Sequence, residues 1–269
     1  MKSLIRFLVY SNIFVAFCAL SLTISSELLL GISNFKVSQF VFFATLFTYN
    51  FQRIFIEKNN KHNKKEWLEN NKTIIIALSI FGLLMCMYRF FEFQTKTQLI
   101  IAFSAGVSFL YPFGLREIPY FKIIVIGSVW TISTMFLLIV ESNYLIDQNI
   151  ILYLIARFLF VFAIIIPFDI RDLKHDKLSL KTIPIVFGES KARLIAICAL
   201  FMMEIITIIQ YFNFDLSFNN LLSLSLLMLL SSIMVIKSNQ KQGDMYFSFW
   251  VESMSIACYL FLAISYLVF

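Results

Sequence analysis

Nine long apolar stretches follow one another along the 269-residue chain, with few charged residues between them. They cover residues 4–29, 38–56, 73–90, 97–113, 120–140, 150–168, 191–212, 218–236 and 246–267. A helix needs about 20 predominantly apolar residues to cross a bilayer. With 60% hydrophobic and 14% charged residues, the composition excludes an ordinary soluble domain. The sequence therefore predicts a single all-α integral membrane domain over residues 1–269, with nine transmembrane helices in one bundle.

The lysines and arginines predict how the chain is oriented. If the N-terminus is cytoplasmic, 18 of the 22 basic residues lie in cytoplasmic segments, as the positive-inside rule requires. The net charge of +6 is then mainly a topology signal with some attraction to anionic membrane lipids, and we expect no nucleic-acid partner. The first apolar stretch resembles a signal peptide but lacks an A-x-A cleavage site, which favours an uncleaved first span. We expect a multi-pass protein of the cytoplasmic membrane.

An acidic run, FDIRDLKHD, stands where the sixth apolar stretch ends. It places Asp169, Asp172 and Asp176 at the cytoplasmic end of a helix. Offsets of three and seven residues bring the three carboxylates within an arc of about 60° on one helix face. Unpaired carboxylates would repel one another there, and hard oxygen ligands of this kind suit Mg²⁺ that shares a substrate phosphate. The run predicts a metal–phosphate site at the membrane surface.

A weaker pattern repeats these offsets after the second apolar stretch. Asn50, Arg53 and Glu57 stand at the same relative positions, also at the cytoplasmic end of a helix. Only Asn50 and Glu57 are chemically related to their counterparts in the acidic run. The pattern is either a second half of one site or a coincidence.

Residues 169–188, DIRDLKHDKLSLKTIPIVFG, resemble the second aspartate-rich motif of the UbiA family of intramembrane prenyltransferases and its Lys-Thr-x-Pro continuation. Residues 110–130, LYPFGLREIPYFKIIVIGSVW, are similar to the family segment that links the fourth and fifth helices. The resemblance implies a nine-helix bundle around a central cavity. It also implies that Mg²⁺ ions bind an isoprenoid diphosphate, whose ionisation gives an allylic cation that a small acceptor attacks.

The same resemblance implies roles for individual residues. Asp169, Asp172 and Asp176 would be the catalytic, metal-binding carboxylates. Lys181 would contact the diphosphate, and Tyr111 and Arg116 would lie near the leaving group.

The chain departs from the family at the first aspartate-rich motif. Where the family has Asn-Asp-x-x-Asp-x-x-x-Asp, this chain has YNFQRIFIE. Aligning the charged offsets puts Asn50, Arg53 and Glu57 at the aspartate positions as substrate-binding residues, whereas aligning the leading Asn puts Phe51, Ile54 and Lys58 there. We predict that Arg53 replaces a second metal ion and binds the diphosphate directly, because a guanidinium stays protonated and binds phosphate oxygens bidentately. The alternative is that Arg53 only anchors the helix at the membrane surface.

Two ionisable residues, Arg157 and Glu204, fall inside apolar stretches at similar depths. Because charges inside a membrane tend to pair, we expect a structural ion pair between them. Aromatic residues near the cytoplasmic helix ends are candidates to stabilise a carbocation, although packing is the simpler role for each: Phe42, Phe43, Phe47, Tyr49, Phe109, Tyr111 and Phe168.

Two other functions compete with prenyl transfer. One is a catalytically silent relative that binds an isoprenoid lipid, which the altered first motif favours. The other is a transporter with Arg157 and Glu204 in an ion path, which would require broken helices near the midplane. The residues leave the acceptor, the isoprenoid length and the oligomeric state open, while the charge layout favours prenyl transfer at the cytoplasmic face.

Overall fold

The computed structural model describes residues 2–55, 62–110, 120–173 and 181–268, and these are almost entirely helical. The α-helices are α1 (Lys2–Tyr10), α2 (Ile13–Leu30), α3 (Phe35–Phe55), α4 (His62–Asn70), α5 (Lys72–Phe90), α6 (Thr95–Leu110), α7 (Phe121–Thr131), α8 (Leu137–Glu141), α9 (Gln148–Asp172), α10 (Ile183–Asn213), α11 (Phe218–Lys237) and α12 (Met254–Val268). Two π-helical turns, Ile132–Phe136 and Tyr246–Val251, precede α8 and α12. These ranges contain no strand, which confirms the all-α prediction.

Seven helical segments of the described chain are long and apolar enough to cross a membrane. They are Ile13–Leu30, Lys72–Phe90, Phe121–Glu141, Gln148–Asp172, Ile183–Asn213, Phe218–Lys237 and Tyr246–Leu267. The chain is therefore an integral, multi-pass membrane protein. The other two predicted spans correspond to α3, which carries Lys36 and Arg53, and to α6, of which 16 residues are described. Nine spans and a cytoplasmic N-terminus remain predictions.

The first apolar stretch, predicted as one helix over residues 4–29, is broken near its start. Between α1 and α2, Asn12 takes a left-handed conformation with φ of 59°. Its side-chain amide donates a hydrogen bond of 2.9 Å to Oδ1 of Asn50 on α3, and both side chains are buried. The break therefore depends on a contact with a distant helix.

Helix α2 occupies the middle of the bundle. It packs against α3, against α12 and against the π-helical turn Ile132–Phe136. Around it, α9 packs against α7 and α10, and α11 packs against α10 and α12. Leu22 of α2 is fully buried in the larger of the apolar clusters. This arrangement leaves large apolar side chains on the outside for contact with lipid, including Leu84, Phe103, Leu194, Phe201 and Leu229.

Glu141 ties the ends of α3, α6 and α8 together. Its side chain is buried and accepts hydrogen bonds from Thr97 Oγ1 at 2.7 Å and from the Gln94 backbone N–H at 3.2 Å. It also forms an ion pair of 3.3 Å with Lys36. Nearby, Arg89 hydrogen-bonds Glu92 and thereby lowers the pKa of that carboxyl group. These contacts fix the helices at the end of the bundle that our orientation places outside.

Candidate functional site

A cavity of about 320 Å³ lies between α2, α3, α6 and the helical segment from α7 to α8. Its lining is mostly apolar and rich in aromatic rings. The aromatic residues are Phe40, Phe47, Tyr49, Phe51, Phe109 and Trp130. Hydroxyl groups, among them those of Thr48, Ser104, Ser108 and Ser133, supply the few polar atoms. A cavity of this kind suits a long hydrocarbon with few polar groups.

Tyr49 and Trp130, two of the lining residues, are joined by a side-chain hydrogen bond in the cavity wall. The indole Nε1 of Trp130 donates a hydrogen bond of 3.3 Å to the Tyr49 hydroxyl. Glu252, the residue that follows the second π-helical turn, interacts electrostatically with Tyr49 and with Arg171 at the end of α9. The charge of Glu252 therefore acts both on the cavity wall and on the end of α9.

Asp169 lies in the last turn of α9, two residues after Pro167, and is only 1% exposed. The Nζ of Lys122, the second residue of α7, lies 2.5 Å from its Oδ1. The helix starts there because Tyr120 turns the chain with a φ of 60°. The start of α7 thereby supplies the positive charge for a carboxylate that is out of contact with bulk water.

Asp172 forms a bidentate pair with the neighbouring Arg171, with N–O distances of 2.7 Å and 3.0 Å. The guanidinium also lies over the rings of Phe168, at 5.2 Å, and Phe247, at 6.0 Å. Besides Asp172, the negative charges of Asp244 and Glu252 act on it. Arg171 therefore stands between the end of α9 and the start of the last helical segment.

The donor chemistry of this site fits Mg²⁺, because Asp169 and Asp172 provide carboxylate oxygens three residues apart on one helix. The third predicted ligand, Asp176, lies outside the described residues. Within the described ranges no cluster of three acidic, His or Cys side chains could hold a metal. Lys122 and Arg171 neutralise the two carboxylates in this structure, so a metal would have to exchange with these cations.

A family model for the UbiA prenyltransferase family matches residues 68–258, most of the chain. The chain belongs to this family. The resemblance of residues 169–188 to a UbiA motif thus indicated the correct family.

Two solved structures share the fold of this UbiA-family protein. One is the apo structure of a UbiA homolog from Aeropyrum pernix K1, with a TM-score of 0.60, 16% identity and 98% of each chain covered. The other concerns digeranylgeranylglyceryl phosphate synthase, with a TM-score of 0.59, 16% identity and coverage of 100% of this chain and 98% of that chain. No curated protein sequence matches the chain.

Asn50 and Arg53, which the sequence predicts to stand at aspartate positions of the first motif, pack against the break between α1 and α2. Asn50 is fully buried, accepts a hydrogen bond from Asn12 and donates one of 3.1 Å to the Ser11 carbonyl. Arg53 donates a hydrogen bond to the Tyr10 carbonyl. Between them, Phe51 and Gln52 line the cavity. Asn50 and Arg53 thus hold the N-terminal segment beside the cavity wall.

Of the remaining predicted site residues, only Lys181 lies within the described ranges. Lys181 is exposed and has a φ of 32° just before α10 begins. Glu57, Tyr111, Arg116 and Asp176 lie outside the described residues. Of the aromatic candidates, Phe47, Tyr49 and Phe109 line the cavity.

The predicted ion pair between Arg157 and Glu204 is wrong. Arg157 Nη2 donates to the hydroxyls of Ser25 and Ser26 on α2, at 2.8 Å and 3.0 Å. Glu204 accepts a hydrogen bond of 2.5 Å from Ser225 on α11. Arg157 on α9 and Glu204 on α10 lie at similar depths, but their side chains point in different directions. Arg157 contacts α2, whereas Glu204 contacts α11.

Sequence reasoning missed Lys122 and Trp130 as site residues. The positive-inside pattern alone accounts for Lys122, and the apolar stretch 120–140 alone accounts for Trp130. Both lie in the 110–130 segment that resembles the family, which was the available signal.

Proposed function

We propose that this UbiA-family protein transfers an isoprenoid chain from an isoprenoid diphosphate to a small acceptor at the cytoplasmic face of the membrane. One observation carries the proposal: α7 joins a charged site to an apolar cavity. Lys122 at its start pairs with Asp169, and Trp130 lines the cavity. Eight residues of helix separate them by about 12 Å. This layout fits a molecule with an anionic head and a hydrocarbon tail.

The charged site would take the diphosphate. Asp169 and Asp172 would hold Mg²⁺, which when bound stabilises the negative charge of a departing diphosphate. Lys122 and Arg171, released from these carboxylates, can donate hydrogen bonds to phosphate oxygens. Arg53 and Lys181 would add positive charge from the neighbouring segments. Once the metal has displaced Lys122 and Arg171, these positive groups would stabilise the charge that develops on the departing diphosphate.

The cavity would take the hydrocarbon and protect the reactive cation. Phe47, Tyr49 and Trp130 present ring systems along its wall. A cation over a ring face gains about 0.5–2 kcal/mol from each such contact. An apolar wall also keeps water from capturing the cation before the acceptor attacks.

A second function, isoprenoid binding without catalysis, is favoured by the two ion pairs. Lys122 and Arg171 already neutralise Asp169 and Asp172, so the site needs no metal for its charge balance. A protein of this kind would bind the diphosphate without ionising it.

The test is diphosphate release by the full-length protein in proteoliposomes, with Mg²⁺, isoprenoid diphosphates of several lengths and a lipid extract from a deletion strain as the source of acceptors. Mass spectrometry would identify the prenylated product that the deletion strain lacks. Asp169→Asn should reduce release about 100-fold. Asp215→Asn, an exposed position between α10 and α11, is the charge-matched control.

Saturable binding of the diphosphate without release would support the silent relative instead. Absence of both binding and release for every donor would overturn both functions.

A further inference from the structure

Arg157 is a charged residue deep inside the bundle. It is the tenth residue of α9, about 14 Å from the start of the helix and about 22 Å from Asp172. Since the hydrocarbon layer of a bilayer is about 30 Å thick, this position lies near its middle. Arg157 is 5% exposed. A guanidinium keeps its proton in proteins, so a full positive charge is buried here.

The described protein does not neutralise this charge. Arg157 Nη2 binds the neutral hydroxyls of Ser25 and Ser26. Its Nη1 is buried and has no hydrogen-bond partner in the described part of the chain. The acidic residue nearest to it in predicted depth, Glu204, is hydrogen-bonded to Ser225 instead. An isolated charge inside a membrane costs several kcal/mol, and such residues pair or bind ligands.

Arg157 is one of the residues that line a cavity of about 30 Å³. Arg157 lines it together with side chains from α9, α10 and α12 that carry polar atoms, namely Tyr153, Thr207, Gln210 and Cys258. The rest of the lining is apolar, with Leu29, Met135 and Leu227 among its members. One water molecule requires about 10–15 Å³ of cavity volume, so this cavity suits one halide-sized ion or two water molecules. It is too small for a lipid headgroup.

The guanidinium of Arg157 favours an anion over a cation in this cavity. Gln210 donates to Asn149 Oδ1 at 2.8 Å and Thr207 donates to the Met203 carbonyl at 3.0 Å, so an anion would depend on Arg157 for its hydrogen bonds. Arg157 Nη1 supplies N–H donors and has no acceptor atom. The lining contains no carboxylate that would repel a negative ion.

We propose that this cavity binds a small monovalent anion of the size of chloride, held by Arg157 Nη1, as the counter-charge inside the membrane. The anion joins α9 to α2, α10 and α12 and is a structural ligand. It lies apart from the site at Lys122 and Asp169, so the proposal does not depend on prenyl transfer.

Thermal unfolding of the full-length protein in nanodiscs tests the proposal, with chloride replaced stepwise by gluconate at constant ionic strength. Chloride should raise the midpoint along a saturation curve, by about 5 °C at one hundred times the dissociation constant. Arg157→Gln should abolish the dependence. Arg193→Gln should retain it, because Arg193 lies outside this cavity and binds Glu189 and the Ser238 carbonyl.

A second measurement decides the question if Arg157→Gln fails to fold. Crystals of the unmodified protein grown in bromide should show an anomalous peak at hydrogen-bond distance from Arg157 Nη1. Equal midpoints in chloride and gluconate, a chloride effect that survives Arg157→Gln, or water without bromide beside Arg157 would each overturn the proposal.

Discussion

Lys122 and the buried Asp169 form an ion pair, with the lysine Nζ 2.5 Å from the aspartate Oδ1 and the lysine side chain 17% exposed. The pair joins the first turn of α7 to the last turn of α9, two helices that pack against each other. The carboxylate that we expect to bind a metal therefore also holds the fold together. Metal binding and helix packing compete for the same oxygen atoms.

This competition can be measured with Lys122→Met. The substitution leaves Asp169 buried without its cation, and breaking a buried pair costs about 3–5 kcal/mol. Without Mg²⁺ the unfolding midpoint should fall, whereas Mg²⁺ should restore more stability than it adds to the unmodified protein. Lys72→Met, at the exposed start of α5, is the control. An equal Mg²⁺ effect in both variants would mean that Asp169 does not bind the metal.

The apolar cavity can be filled from α6. Ala105 lines it, so Ala105→Phe should occupy the space of the hydrocarbon and weaken isoprenoid diphosphate binding by at least about tenfold. Ala102→Phe, on the same helix and also exposed but outside the cavity lining, should bind normally. Direct binding of a labelled diphosphate gives the comparison, and equal affinities would exclude this cavity as the tail site.

A substitution of Asn50 can separate its structural contacts from the substrate-binding role that the sequence predicts for it. Asn50→Ala leaves the buried amide of Asn12 and the Ser11 carbonyl without their partners. The free energy of unfolding should therefore fall by about 2 kcal/mol. The double substitution with Asn12→Ala should cost less than the sum of the single ones, because the two residues share a contact.

Asn213→Ala, at an exposed helix end, serves as the control for Asn50. If Asn50→Ala leaves stability unchanged and weakens diphosphate binding, the contact with the substrate is the more important one.

Gly82 permits the close approach of α5 and α3. A Cβ atom there would lie 3.1 Å from the Phe43 carbonyl oxygen and 3.1 Å from the Phe47 nitrogen, both backbone atoms. Gly82→Ala should therefore lower the free energy of unfolding by about 1 kcal/mol or more, despite its better helix propensity. Gly106→Ala, where a Cβ meets nothing within 4 Å, should be neutral or stabilising. Denaturant unfolding of both variants would show the difference, and equal effects would refute the close contact.

The helical membrane fold was predictable, because an apolar run long enough to cross a bilayer can be recognised without knowing which segments pack against it. The break at Asn12 was not, since Ser11 and Asn12 are only two polar residues within a long apolar stretch and the conformation depends on Asn50 in another helix. The depth of a residue in the membrane could also be predicted from its position along a helix. The direction in which each face of the helix points could not. That is why Arg157 and Glu204 matched in depth and still failed to meet.

The candidate site was predicted in part. The position of Asp169 at the end of a membrane helix followed from the acidic run, and the structure adds its burial. The pairing of Asp169 with Lys122 was not predicted, because a lysine near the cytoplasmic end of a helix is equally well explained by the positive-inside rule as by a role in a site. Only the packing of α7 on α9 separates the two explanations.

The π-helical turn Tyr246–Val251 has a consequence for comparing this chain with others. A π-helical turn holds one residue more than an α-helical turn, so the residues that follow are rotated by about 100°. Cys258 and Leu262 consequently face the interior, while Leu260 and Ile264 face outwards. An alignment that treats this segment as a regular α-helix would place the lipid-facing and inward-facing positions beyond Val251 one residue out of register.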